Sequence, residues 1–191
     1  MDAPKASEKQ QACDQALEVA NAALHDHRLD DADRALTAAL AAAEACGAAD
    51  PRNAVVLHHL GVLRGMQSRL PEAQAALEGA VLAWERAVGA DDPHVCSSLT
   101  ALGQVLAIQE KPALALPVFT RCLTIIEKTR GPAHAIVASC LHNVATQLQE
   151  LGRHTEAIPH FEAALRLNPD YRLARENLTQ AKQAPVAPPR P

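Results

Sequence analysis

VCSSLTALGQVLAIQEKPALALPVFTRCL, residues 95–123, carries apolar side chains at helical spacing, breaks at Gln109-Glu110-Lys111-Pro112, and resumes the spacing through Ala115, Phe119 and Cys122. Two apolar stripes of period 3.6 separated by a breaker describe a helical hairpin. The stretch has copies at a fixed interval. Shifted by 42 residues in either direction, it lies over NAVVLHHLGVLRGMQSRLPEAQAALEGAV (53–81) and VASCLHNVATQLQELGRHTEAIPHFEAAL (137–165). Leu99 then meets Leu57 and Leu141, Leu102 meets Leu60 and Val144, and Gly103 meets Gly61 and Ala145. Ala115 meets Ala73 and Ala157, Phe119 meets Leu77 and Phe161, and Cys122 meets Ala80 and Ala164. The linkers GAADP (47–51), GADDP (89–93) and GPAHA (131–135) keep the same step. A weaker copy lies 41 residues upstream of the second unit, with Ala16, Val19, Ala20, Ala32, Leu36 and Ala39 in the corresponding places.

The chain is therefore expected to be all-α, with four tandem hairpins. A single hairpin cannot bury its apolar face and must stack on a neighbour. Small residues at positions 61, 103, 145, 73, 115 and 157 let the two backbones of each hairpin approach closely. Pro117 and Pro159 recur at the 42-residue step, early in their second helices, where a lost amide costs less than at a helix centre. Beyond Asn168-Pro169-Asp170, the residues Tyr171, Ala174, Leu178 and Ala181 share one helical face. This is the pattern of a capping helix, with one side on the last apolar surface and the other in water.

Leu99, Leu102-Gly103, Ala115, Phe119 and Cys122, and again Leu141, Val144-Ala145, Ala157, Phe161, Ala164 and Pro169, resemble the tetratricopeptide repeat. The 42-residue step and the GADDPHV type of linker are similar to the kinesin light chain variety. The resemblance implies a right-handed α-solenoid of four tandem helical hairpins plus a C-terminal capping helix. The expected organisation is a flexible N-terminus (1–9), a repeat domain (10–184) and a Pro-rich disordered tail (185–191). Within the domain, the repeats cover about 10–46, 52–88, 94–130 and 136–168, and the capping helix covers 170–184. The tail also contains Pro185-x-x-Pro188-x-Arg190, an arrangement that polyproline-recognition domains bind.

Composition narrows the function. Net charge is −4 over 191 residues, but residues 1–50 hold ten acids and four bases, whereas residues 111–191 hold six and ten. With no concentrated basic patch and only Trp84, Phe119, Phe161 and Tyr171 as aromatic platforms, no nucleic-acid partner is expected. The charge gradient suits steering of a protein partner, self-association, or a merely solvated surface. No apolar run reaches the ~18 residues of a membrane span, and the polar MDAPKASEKQ start is unlike a secretory signal, so a soluble, cytoplasmic protein without membrane contact is expected. Five cysteines, an odd number without a Cys-x-x-Cys pair, point to reduced, mostly buried thiols. The Ala/Arg-rich, Lys-poor usage suggests a GC-rich bacterial genome.

The family resemblance further implies that the first helices of successive units line a concave groove for an extended peptide or a helix of another protein. Position by position, the lining is Asp14, Leu17, Asn21 and Leu24; then Val55, His58, Val62 and Gly65; then Ser97, Thr100, Gln104 and Ala107; then Ser139, His142, Thr146 and Gln149. Chaperone-binding relatives clamp a C-terminal carboxylate with Lys, Arg and Asn. Here Asn21 alone has a counterpart, and Leu17, Thr100 and Gln104 replace the cations, so a carboxylate clamp is not expected. His58 and His142 have two readings, as pH-sensitive hydrogen-bonding groups for a ligand or as solvated helix-surface histidines. The adjacent pair His58-His59 is a poor metal site because neighbouring helical residues diverge by about 100°. No metal, cofactor or catalytic residue is expected, since phosphate loops, zinc-type His pairs and nucleophile elbows are missing from the sequence. The acid pairs Asp30-Asp31 and Asp91-Asp92 are expected to cap the helices that follow them. The expected function is a non-catalytic adaptor or scaffold binding a partner peptide or helix. The alternative is a structural or self-assembling subunit of a larger complex.

Overall fold

The computed structural model describes residues 6–184, which form nine helices and no strand. They are α1 (Ala6–His25), α2 (Leu29–Glu44), α3 (Pro51–Met66), α4 (Leu70–Val88), α5 (Val95–Ile108), α6 (Pro112–Arg130), α7 (Ala135–Glu150), α8 (His154–Leu167) and α9 (Arg172–Gln183). Residues 6–9, expected to belong to a flexible N-terminus, are helical instead. Good helix formers dominate there, and Glu8 places a carboxylate in the positive first turn of α1. The Pro185–Pro188 motif lies outside the described residues. No helix among the described residues is long and apolar enough to cross a membrane.

The helices pack as two units that divide within α5, after Val105. In the N-terminal unit, α1 packs on α2, α3 on α4, and α2 on α3. The first hairpin is held together largely by alanine. Cys13, Ala20 and Ala23 of α1 meet Ala32, Leu36, Ala39 and Ala43 of α2, all fully buried, and Val56 and Leu63 of α3 join the same cluster. Small side chains are an advantage there, because they let two helix backbones approach and fill the space between them without voids. The second hairpin relies on a missing side chain. A Cβ on Gly61 would stand 2.4 Å from Leu77 Cγ and 3.3 Å from the Ala73 carbonyl oxygen, so α3 and α4 touch through the glycine with Leu77 folded over it.

In the C-terminal unit, α6 packs on α7, α7 on α8, and α9 covers α8 and part of α7. Phe161 is fully buried at the place where Leu77 stands two repeats earlier, with Ala145 and Ala157 as its buried small counterparts. Cys122 of α6 and Cys140 of α7 bring their sulfurs to 3.8 Å inside this core. Their mutual hydrogen bond, followed by burial, pushes the Cys140 pKa well above that of an ordinary thiol. The amphipathic face expected of α9 is present: Ala174 and Ala181 are buried, and Lys182 reaches Glu162 of α8 at 2.8 Å.

Two kinds of turn repeat with the sequence. Within repeats, a residue of positive φ ends the first helix: His27 (56°), Ser68 (59°), Glu110 (58°) and Gly152 (72°). The amide of the next residue, Arg28, Arg69, Lys111 or Arg153, reaches back to a carbonyl five residues earlier at 2.8–2.9 Å. That is the Schellman closure, which satisfies the last carbonyls of a helix through one left-handed residue. Arg28, Arg69 and Arg153 then clasp the acid three residues on, Asp31, Glu72 and Glu156.

Between repeats, Gly47, Gly89 and Gly131 adopt positive φ, and a side chain three residues later accepts a backbone amide two residues ahead of itself. These caps are Asp50 to Arg52, Asp92 to His94, and His134 Nδ1 to Ile136. Asp92 makes the equivalent bond in the turn that leads into α5, to an amide one residue before the helix begins. Asp30 and Asp31 do not, since they already lie inside the first turn of α2 behind Arg28, where their charge meets the positive helix end and, for Asp31, the Arg28 and Arg34 guanidinium groups.

Gly61→Ala is expected to destabilise the protein by about 1–3 kcal/mol, because Leu77 and the α4 backbone must move aside. Gly79→Ala, whose Cβ would meet only Leu57 at an ordinary 3.5 Å, should stabilise it by about 0.5–1 kcal/mol through helix propensity. Urea unfolding followed by circular dichroism reads both. For the thiols, Cys46 is half-buried and the other four are buried. An aromatic disulfide reagent should therefore label Cys46 rapidly in the native protein and the rest only upon unfolding.

Candidate functional site

The expected lining positions fall at i, i+3 and i+7 on the first helices, but the structure divides them into three environments. Asn21, Ser97, Gln104 and Ser139 are exposed. Val55, His58, Val62, Thr100, Thr146 and Gln149 are half-buried. Leu17 and His142 are buried, each 9% exposed. Leu17 belongs to the α1–α2 core with Leu24 packed against the same cluster, because the alanine-rich first hairpin has few other large apolar groups to fill its interior. Val55 also leans on this cluster and is mostly scaffold. Asp14 does not face an open surface alone. Its carboxylate accepts two bonds from Arg52, at 2.8 and 3.0 Å, tying α1 to α3 and lowering its own pKa.

The two histidines differ in their surroundings. His58 Nδ1 lies 3.2 Å from Ser98 Oγ, a hydroxyl that is fully buried on α5. His142 is covered. Its ring sits 5.7 Å from Phe161 and 4.8 Å from Tyr171, the residue that precedes α9. Tyr171 also hydrogen-bonds Ser139, while burial raises the phenol pKa. The start of the capping helix thus occupies the part of the α7 face that carries Ser139 and His142. A solvated His142 is ruled out by this packing, and the reason is tertiary, since Tyr171 arrives from 29 residues further along the chain. Of the other histidines, His94 stacks on Trp84 at 5.3 Å and His134 caps α7.

Further along α7, the Thr146 hydroxyl donates to the His142 carbonyl at 2.9 Å, and Gln149 Nε2 donates to Gln180 Oε1 of α9 at 3.3 Å. At the end of α7 opens a cavity of about 430 Å³ lined by Ala107, Glu110, Pro112, Thr146, Gln147 and Glu150. Glu110, Gln147 and Glu150 were not among the expected site residues. The repeat alignment directs attention to one face of each first helix, whereas this cavity forms where a helix end meets a turn. Among the described residues, no group of three or more His, Cys, Asp or Glu side chains is arranged to hold a metal ion.

The tetratricopeptide repeat family model matches residues 54–128 and 94–170. This chain belongs to the tetratricopeptide repeat family. No curated protein sequence matches the chain significantly. Solved structures share the helical-repeat solenoid fold at low identity. BtubC (BKLC) from P. vanneervenii superposes with a TM-score of 0.77 at 16% identity, covering 94% of this chain and 82% of that one. The TPR-like repeats of a Podosopora anserina kinesin light chain give 0.75 at 18% identity, covering 89% and 85%. YrrB, a TPR protein with an unusual peptide-binding site, gives 0.63 at 22% identity, covering 85% and 72%. Both the all-α repeat class and the family expected from the sequence are thereby established.

Burial holds the His142 imidazole below its ordinary pKa, and burial followed by the His59 charge does the same for His58. The unfolded chain then takes up protons at higher pH than the folded one. Stability is accordingly full above about pH 6.5 and declines as pH falls through that value toward the folded pKa. The urea midpoint of this tetratricopeptide repeat protein should drop between about pH 7.5 and 5.5, and His142→Leu should flatten the dependence.

Proposed function

We propose that this protein is a non-catalytic interaction module that binds an extended segment or helix of another protein along the exposed faces of its first helices. The observation that carries this reading is the chemistry of those faces. Ser97, Thr100 and Gln104 on α5, and Thr146 and Gln149 on α7, are uncharged hydrogen-bonding groups left exposed or half-buried by the packing. Such groups suit the backbone of an extended peptide, with affinity coming from buried contacts and main-chain hydrogen bonds. Membership of a repeat family whose hairpins expose one face of each first helix supports the same reading. So does the likeness to YrrB, which has a peptide-binding site. In this chain, Asn21 of α1 and Val62 of α3 extend the partner-binding face, while His58 and His142 act as supports that keep the faces in place.

The decisive experiment is crosslinking mass spectrometry in native lysate with the wild-type chain and a Ser97→Glu/Gln104→Glu variant. Both positions are exposed, so the fold should be retained, as circular dichroism would verify. Selective loss of the same captured proteins from the variant, with peptide-level crosslinks mapping to α5, is the expected result. Retention of every partner by the variant would move binding off this face.

A further inference from the structure

The cavity at the end of α7 has an unusual balance of polar groups. Glu110 and Glu150 contribute carboxylates, Gln147 contributes an amide, and the Thr146 proton is already given to the His142 carbonyl, which leaves its oxygen lone pairs. Gln147 is only 4% exposed, yet its Oε1 has no hydrogen-bond partner. A buried amide oxygen in that state calls for a donor. Neither Glu110 nor Glu150 has a cationic partner among the described residues, although Arg153 and Arg69 are clasped by acids in the equivalent turns. The position adds to the effect. Glu150 is the last residue of α7 and Glu110 closes the turn after α5, so both carboxylates stand at helix C-termini, where the backbone carbonyls already produce negative potential. Like charge there is unfavourable for the helices, and a bound cation would relieve it.

We propose that this cavity binds an organic cation, a primary ammonium or guanidinium group, held between the Glu110 and Glu150 carboxylates with one N–H donated to Gln147 Oε1. Ala107 and Thr146 belong both to the cavity wall and to the expected partner-binding face, so the cation would be a lysine or arginine side chain of the bound segment. That assignment rests on the reading given under Proposed function. A free polyamine offers the same chemistry, and the test separates the two sources.

Three probes are titrated into the isotope-labelled full chain at low salt, with amide shifts followed by NMR: acetyl-Ala-Ala-Lys-Ala-Ala-amide, its norleucine counterpart and spermidine. The lysine peptide should shift the Gln147 side-chain amide and the Glu150 backbone amide, and bind about ten-fold or more tightly than the norleucine peptide. The Glu110→Gln/Glu150→Gln variant, altered only at exposed positions, should lose that preference while keeping its circular dichroism spectrum. Binding of spermidine at these same amides without the peptide would assign the site to a free amine. Equal binding of lysine and norleucine peptides together with no spermidine response would overturn the proposal, as would undiminished cation binding by the double variant. Failure here with selective loss of crosslinks in the α5 variant leaves the peptide-binding face standing. Cation binding with unchanged crosslinks separates them the other way.

Discussion

The close approach of two helices within each hairpin, made possible by a small residue facing a large one, governs the rest of this structure. Gly61 lies under Leu77, and Ala145 occupies the corresponding place in the repeat that buries Phe161. The arrangement fixes the separation of the helices and therefore which side chains lie between hairpins and which remain outside. Interiors packed at crystal-like density tolerate little change in volume, so the paired sizes must vary together. The first hairpin takes the same solution to its limit, with alanine on both sides and Leu36 as the large residue.

Repeat phase was legible in the sequence because it depends on local periodicity. The helices, the breaks between the two helices of each hairpin and the apolar face of α9 could all be read from spacing alone. What could not be read depends on contacts between distant parts of the chain. His142 and Thr100 occupy the same repeat position, but His142 is covered by Tyr171. Leu17 is at a lining position by alignment, yet the alanine-rich cluster around it has few other large side chains and takes it into the core. Glu110 reads as a loop residue, and only the folded chain sets it opposite Glu150.

Turn chemistry shows how much irregularity the repeat absorbs. A left-handed residue is required at the end of each first helix, yet glycine supplies it only at Gly152. His27, Ser68 and Glu110 adopt the same φ at a cost that L-residues other than glycine normally incur. The Schellman bond and the neighbouring helix packing outweigh that cost, so position in the repeat, not residue identity, dictates the conformation. Between repeats the requirement is stricter. Gly89 and Gly131 combine positive φ with extended ψ, a region open essentially to glycine, and Gly47 shares the positive φ at the equivalent position.

The stacking of Tyr171 on His142 also bears on how a protein of this kind changes length over evolutionary time. A hairpin appended after α8 would find its docking surface taken by α9, with the aromatic pair and the Lys182–Glu162 bridge to be broken first. A duplication inserted between two GADDP-like linkers meets no such obstacle, because each linker joins equivalent surfaces. Adding a hairpin after α8 therefore requires first undocking α9 from the surface the new hairpin would use.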